Sequence, residues 1–228
     1  MVNTWHIMKK LLIMILFLAG GYAIAQKPST DKKKLLRINA YATYAFDDKN
    51  VNSYYSETSY FEGEVKGGFQ YGAGLEYMPT QGIGVELAYL RLDSKAPMAY
   101  YDNGTQNTTF DLAQNFIFLG ANRYFGMNPK ANPFAGIQLG MDMINVENPD
   151  NGSSNGATKF AWGLRAGLNI QTNEKIAIKI QGGLLSAVQS VGGNVYFGSG
   201  GYGGGLTGLS SYYQFSLGGG LVISLDNR

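Results

Sequence analysis

The chain has 228 residues, of which 15% are charged and 13% aromatic, with a formal net charge of +2, one histidine and no cysteine. The absence of cysteine excludes disulfides, thiolate metal sites, thiol nucleophiles and lipoprotein anchors. The mean hydropathy of −0.12 is too low for a bundle of membrane helices. After residue 25 no segment approaches the roughly 20 apolar residues that a spanning helix needs.

Residues 1–25 are typical of a secretory signal peptide. Two lysines precede an apolar run at 11–18, and a small-x-small motif that ends at Ala25 predicts cleavage before Gln26. A membrane anchor is the alternative interpretation. It is disfavoured because the apolar run is short and no basic cluster closely follows it.

The mature chain would begin with a short periplasmic tail, 26–34, followed by a single barrel domain, 35–228. Translation can start at Met1 or at Met8, and Met8 opens a complete signal peptide by itself. The two signal-peptide lysines leave with it, so that 16 basic residues remain against 16 acidic ones, and the histidine leaves too. No basic surplus is left for binding nucleic acid.

Downstream of residue 35, apolar residues alternate with polar or small ones, which is typical of strands with one apolar face. No segment has a helical apolar stripe with caps. We predict eight strands in one all-β domain, at residues 35–46, 68–78, 83–92, 110–125, 134–144, 160–170, 176–185 and 212–225.

The connections between these strands are alternately short and long. Three are short: 79–82, 126–133 and 172–175. Four are long: 47–67, 93–109, 147–158 and 186–211. This alternation places all long loops at one end of a meander, as in outer-membrane barrels. The predicted fold is therefore an eight-stranded antiparallel up-and-down transmembrane β-barrel.

Each predicted strand separates into an apolar face and a face of glycine, amides and single charges. In the third strand, Ile83, Val85 and Leu87 alternate with Gly84 and Glu86. A soluble barrel would turn the apolar face inward, whereas a membrane barrel would turn it to lipid. The second is favoured, because a solvated face is usually richer in charge and a narrow interior suits glycine. Aromatic residues near strand ends would form the interfacial girdle: Phe46, Tyr77, Tyr89 and Tyr213.

The fourth strand does not separate cleanly into two faces. Its odd-numbered positions mix Ile117 and Leu119 with Asn115 and Arg123, while Phe116 stands among the even-numbered positions. A β-bulge would reconcile this pattern, and so would an outward Arg123 that snorkels to the interface. Both interpretations stay open at the level of sequence.

The export signal, the eight alternating segments and the glycine-rich last strand resemble the OmpA/OmpX-type family of small outer-membrane barrels. The second hairpin (72–77 and 84–89) and the segment 160–170 carry this similarity. The segment 218–225 is similar to the family's assembly signal, in which Gly220, Ile223 and Leu225 would take part. Such chains commonly stop at an aromatic residue, whereas this one continues for three residues after Leu225.

The inward face of the predicted barrel collects charged residues of both signs. Three basic and three acidic side chains on six strands would form a paired network that plugs the interior. They are Arg37, Arg165 and Lys179 with Glu76, Glu86 and Asp142.

No catalytic residue, cofactor or metal site is predicted. Without a mature histidine the usual serine–histidine arrangement is impossible. The glycine-rich segment 198–205 is not followed by the Gly-Lys-Ser/Thr of a phosphate loop, and the acidic residues between 47 and 64 do not match an EF-hand. We therefore predict that the protein is not an enzyme.

The predicted function is a structural or interaction role at the outer membrane of a Gram-negative cell. The four long links contain nine acidic and three basic residues and several tyrosines, a composition suited to protein or glycan ligands. Outer-membrane lipid and the barrel-assembly machinery are the other expected partners, and the protein would be a monomer or a complex subunit. An accessory subunit of a secretion or assembly complex is the alternative. A porin-like channel and a lipid-modifying enzyme are further alternatives.

Overall fold

The computed structural model describes residues 35–48, 54–55, 60–80, 82–101, 105–125, 130–192, 196–197, 204–205 and 212–225. All of them belong to one unit, Lys34–Arg228. The predicted signal peptide, its cleavage site between Ala25 and Gln26, and the tail at 26–34 lie outside the described residues and stay predictions. Within the described ranges no helix is long and apolar enough to cross a membrane.

Eight long strands, β1 to β8 in chain order, form the barrel. They are Leu35–Ala45, Gly68–Thr80, Ile83–Tyr101, Thr105–Tyr124, Ala131–Glu147, Ser154–Gln171, Ile176–Gly192 and Tyr212–Ser224. Each strand pairs antiparallel with its neighbour in sequence, and β8 pairs with β1 to close the sheet. The predicted eight-stranded up-and-down barrel is thereby confirmed.

The stagger of the strands sets the width of the barrel. A path that follows directly paired residues around the sheet ends at Gln214, two residues before the Ser216 that pairs with Ala45, so in the same register it meets the continuation of β1 ten residues beyond its start. That path runs through Arg37, Glu76, Glu86, Gly120, Gln138, Gly163, Leu185 and Gln214. For eight strands this stagger gives a tilt of about 40° and a radius of about 8 Å. Side chains alone can fill an interior of this size.

The apolar face of every strand forms the outer surface of the barrel. Leu87, Leu119 and Leu139 are more than half exposed there. Exposed aromatic side chains stand toward the end that carries the long loops, which we call the long-loop end: Tyr44, Phe46, Phe69, Tyr71, Tyr89, Phe160, Tyr213 and Phe215. An apolar band with aromatic residues along its edge is the surface of a membrane barrel and not of a soluble one.

The mixed pattern of β4 has a simple explanation. The strand pairs with β3 and with β5 without any shift of register, so the interpretation as a β-bulge is wrong. Phe116, Phe118 and Asn122 are buried inside the barrel, while Arg123 lies on the outer face near the short-turn end. The pattern looked mixed because this strand contributes bulky apolar side chains to the interior as well as to the lipid surface.

Two hairpins rise well past the apolar band at the long-loop end. The β3–β4 hairpin continues to the pair Tyr101↔Thr105, and the β5–β6 hairpin to Glu147↔Ser154. The predicted long loop at 93–109 is therefore wrong for most of its length, and the one at 147–158 is wrong for half of its length. Their outward residues face water rather than lipid, and this removes the alternation that marks a membrane strand in the sequence.

We call this projecting part the raised wall; it consists of residues 91–101, 105–115, 144–147 and 154–158. The short strand Tyr60–Gly63 extends it by pairing with β3 beyond the start of β2. Its inner side is an apolar cluster formed by Ala96, Met98, Phe110, Leu112, Ile144, Val146 and Ala187, with Val65 and Ala157 packed against it.

Candidate functional site

Two fully buried carboxylates face each other inside the half of the barrel that lies nearer the short turns. Glu76 of β2 and Glu86 of β3 are directly paired across the sheet, and both side chains point inward. Like charges directly opposite each other destabilise a strand pair, and a buried carboxylate needs both a counter-charge and hydrogen bonds. The surrounding side chains supply both.

Arg165 reaches this pair from β6 on the far wall. Its Nη2 forms an ion pair and a hydrogen bond with Glu86, and the side chains of both residues are almost fully buried. The same guanidinium donates to Asn122 Oδ1 through Nε at 3.1 Å and to the Tyr41 hydroxyl through Nη1 at 3.1 Å. A guanidinium with several fixed donors suits this role better than a lysine ammonium would.

Uncharged side chains donate further hydrogen bonds to the two carboxylates. Asn39 Nδ2 donates to Glu86 Oε1 at 2.7 Å, and the Tyr41 hydroxyl donates to the same oxygen. Asn122 Nδ2 and the Tyr124 hydroxyl each donate to Glu76 Oε1 at 2.7 Å. Asn122 therefore joins the two halves of the cluster, because its amide donates to Glu76 while its oxygen accepts from Arg165.

The two remaining predicted bases of this region lie over aromatic rings. Lys179 is buried, with Nζ 3.5 Å from the Tyr41 hydroxyl and about 5 Å from the ring centres of Tyr41 and Phe134. The guanidinium of Arg37 lies 5.5 Å from the ring centre of Tyr124. Such cation–π contacts stabilise a charge that has left water. Five of the six predicted interior charges thus gather in one cluster.

Asp142 lies apart from this cluster, nearer the long-loop end. It accepts a hydrogen bond from Gln114 Nε2 at 2.9 Å and is directly paired with Lys159 across β5–β6. Lys159 is also buried and points inward. We missed it in the sequence because the sixth strand was predicted to start at Phe160. Lys159 is thus a buried base that the predicted set of interior charges does not include.

Apolar side chains close the charged cluster off on both sides along the barrel axis. Toward the short-turn end lie Met78, Tyr124 and Phe134. Toward the long-loop end lie Leu90, Leu92, Phe116, Phe118, Ala161 and Leu185. Within the described ranges no group of three or more possible metal-ligating side chains occurs. The arrangement can hold charges in place, with an apolar cluster packed on each side of them along the barrel.

The residues of the predicted assembly signal lie on β8 or just after it. Gly220 is directly paired with Tyr41 of β1, where a Cβ would overlap the Ala40 carbonyl oxygen, so the close approach of the strands requires glycine. Ile223 and Leu225 are exposed on the lipid surface. Their part in assembly stays a prediction.

The comparisons with known proteins place this barrel in a family. The sequence matches the outer membrane protein beta-barrel domain over residues 14–187. That match covers more than half of the chain, which therefore belongs to this family. The protein is an outer-membrane barrel of the OmpA/OmpX type, as the sequence predicted, and its apolar band faces membrane lipid.

Solved structures share the fold at low sequence identity. Neisserial surface protein A (NspA) is 16% identical with a TM-score of 0.54, over 82% of this chain and 96% of that one. The outer membrane protein OprG from Pseudomonas aeruginosa is 12% identical with a TM-score of 0.53, over 86% and 98%. The outer membrane protease OmpT from Escherichia coli is 8% identical with a TM-score of 0.45, over 88% of this chain and 99% of that one. No curated protein matches the sequence.

A closed interior predicts the absence of a pore. We expect negligible single-channel conductance from the purified protein in planar bilayers, because side chains fill an eight-stranded barrel and apolar clusters lie on both sides of its charges. The double variant Phe116→Ala/Phe118→Ala is the matched control, because it removes two buried rings and so widens the interior. Its conductance is compared with that of the unaltered barrel. A steady, large conductance of the unaltered barrel would contradict the closed interior and favour a porin-like channel.

Proposed function

We propose that the protein has a structural and interaction role at the outer membrane, with the raised wall and the outer loops as its contact surface. The observation that carries this proposal is the contrast between the two halves of the molecule. Apolar clusters pack on both sides of the interior charges beneath the wall, whereas β3 and β4 remain paired as far as Tyr101↔Thr105, beyond the apolar band.

The outer side of the raised wall is polar, and four of its charged side chains form two ion pairs. Lys95 Nζ lies 2.7 Å from Asp111 Oδ1, and Arg91 Nη2 lies 2.7 Å from Asp93 Oδ1. Arg91 Nη1 also donates to Asn115 Oδ1 at 3.2 Å. Exposed ion pairs of this kind contribute little to stability. They do fix a pattern of charge, which favours selective contact with a partner.

The base of the first long loop is tied to the rest of the barrel. Asp48 is buried and accepts a hydrogen bond from the Tyr213 amide of β8 at 3.1 Å. Lys66 Nζ lies 3.6 Å from Asp47 Oδ2, and the hydrogen bond from Lys66 to Glu64 raises the pKa of Lys66. These contacts fix the described residues at the base of this loop, whose acidic and tyrosine-containing sequence is suited to a protein or glycan ligand.

The test is to shorten the raised wall without altering the barrel. Met98 and Thr108 are directly paired, so residues 99–107 can be replaced by Asn-Gly, a two-residue hairpin turn that preserves the register. We expect this variant to retain heat-modifiable migration on a detergent gel but to lose partners that crosslink to the intact protein in cells. A matched change in the short turn at 172–175 should leave those partners bound.

Two further experiments separate the alternatives. Stable co-purification with other outer-membrane proteins after mild detergent extraction would favour an accessory subunit. Altered lipid A in a deletion strain would favour a lipid-modifying enzyme. Unchanged crosslinking after the wall has been shortened would contradict the contact surface proposed here.

A further inference from the structure

The apolar band is not equally tall on every strand. On β8 it spans seven successive outward positions: Tyr213, Phe215, Leu217, Gly219, Leu221, Ile223 and Leu225. On β3 only four outward positions, from Ile83 to Tyr89, come before Arg91. On β4 only three lie between Asn115 and Arg123, whereas each of the other strands has at least five in succession. The band is therefore shortest on β3 and β4, beneath the raised wall.

Arg91 marks the limit of the band on β3 toward the long-loop end and belongs to a hydrogen-bonded polar cluster. Its Nε and Nη2 donate to the Asp93 carboxylate at 3.0 and 2.7 Å, and its Nη1 donates to Asn115 Oδ1 at 3.2 Å. The Tyr89 hydroxyl donates to the same Asn115 oxygen at 2.7 Å. The Arg91 side chain is still 36% exposed. These contacts hold a guanidinium on the outer surface of the barrel.

Arg123 marks the limit of the band on β4 toward the short-turn end. A Cβ at Gly82 would lie 3.2 Å from Arg123 Nη1, so the guanidinium lies beside the β2–β3 turn. Arg123 is directly paired with Ile83 of β3. Long basic side chains reach toward headgroups in this way while their stems stay in apolar surroundings. Both edges of the short part of the band thus carry an outward guanidinium.

The stagger of the strands shows which outward positions lie at the same level in the membrane. Direct pairs lead from β3 to β8: Tyr89↔Ala73, Ala73↔Ala40 and Ala40↔Leu221. The stagger amounts to about 1.25 residues per strand, so this path descends by about four residues. Tyr89 therefore lies level with Leu217, and Arg91 lies level with Phe215, which is inside the apolar band of β8.

We infer that the bilayer is thinner along β3 and β4 than along β8, because headgroups of the two leaflets move in to meet Arg91 and Arg123. A guanidinium in hydrocarbon is costly, and thinning of the bilayer lets water and phosphate reach it. Guanidinium groups suit phosphate because their donors match its oxygens. The thinning does not depend on whether the raised wall binds a partner.

The decisive measurement is the depth of single spin labels on the full barrel in phosphatidylcholine vesicles, taken from their collisions with oxygen and with a water-soluble nickel chelate. The chain contains no cysteine, so each label can be attached to one introduced cysteine. Two level pairs are compared: Tyr89→Cys with Leu217→Cys, and Val85→Cys with Leu221→Cys. We expect each β3 label to lie about 5 Å closer to the headgroups than its β8 counterpart, which is the rise of one outward position.

The two pairs together distinguish thinning from tilt. A tilted barrel in a uniform bilayer would bring one β3 label closer to the headgroups and move the other deeper, and this result overturns the proposal. Equal depths within both pairs overturn it too. Neither outcome requires any change to the two arginines.

A double variant then tests whether the arginines cause the thinning. In Arg91→Leu/Arg123→Leu the differences in depth should fall to near zero, because the apolar band on β3 and β4 becomes taller. Lys95→Leu is the matched control, since it removes an exposed positive charge from the raised wall beyond the band, and it should leave the differences unchanged. Differences that persist in the double variant overturn the role of the arginines.

Discussion

Replacing Arg165 by leucine is expected to lower the free energy of unfolding of the barrel by about 3–5 kcal/mol, because it leaves buried charge without its partner. The substitution removes the ion pair with Glu86 and the hydrogen bonds to Asn122 and Tyr41. The remaining carboxylates of Glu76 and Glu86 then face each other across β2–β3. Their repulsion is the physical reason for a large effect.

Glu86→Leu should be destabilising for the converse reason. It leaves the Arg165 guanidinium buried beside the hydroxyl of Tyr41 and the amide of Asn122, neither of which carries a negative charge. The double variant Glu86→Leu/Arg165→Leu should recover much of the loss, because apolar replacement of a whole buried ion pair is often nearly neutral. The interaction energy from this double-mutant cycle isolates the pair.

Urea-induced unfolding of the four proteins in detergent micelles or vesicles measures these differences. Lys95→Leu serves as the control, because Lys95 and Asp111 are at least half exposed and such pairs contribute about 0–1 kcal/mol. Single variants as stable as the unaltered barrel would show that the cluster is not under electrostatic constraint. Additive losses in the double variant would show that Arg165 and Glu86 do not act as a pair.

The barrel could be predicted from the sequence because the membrane enforces a regular pattern. Strands that face lipid on one side and a narrow interior on the other must alternate, as Ile176, Ile178 and Ile180 do along β7. This constraint disappears where the raised wall leaves the membrane. Residues 93–109 therefore do not show the alternation of apolar and polar residues by which the other strands are predicted. At the long-loop end, the predicted third and fourth strands therefore stop near the edge of the apolar band and not at the ends of the strands in the structure.

The interior was predictable in its composition but not in its contacts. Alternation places Glu76, Glu86 and Arg165 inward, yet which of them meet depends on the stagger of the whole sheet, which no single hairpin reveals. Arg165 and Glu86 are 79 residues apart in the chain. Tyr41 and Asn122 gave no signal of their own, because an inward tyrosine or asparagine looks the same in the sequence whether it binds a carboxylate or fills space.

Arginine at the middle of the lipid-facing band should impair folding by roughly 2–4 kcal/mol, since a charge at the bilayer midplane loses its hydration. Leu139 of β5 and Leu164 of β6 are the best positions for this test, because both are about half exposed on the outer surface. They lie on neighbouring paired strands. Leu139→Arg and Leu164→Arg should therefore behave alike.

Asn145→Arg is the matched control for Leu139→Arg. It lies on the same strand and on the same outward face, but in the raised wall, where the side chain is exposed beyond the apolar band. Since the penalty for arginine falls to about 0–1 kcal/mol near the interface, this variant should fold as the unaltered protein does. Refolding into vesicles, followed by the difference between boiled and unboiled migration, measures all three variants. Normal folding of both leucine variants would mean that this face of the barrel does not meet the centre of the bilayer.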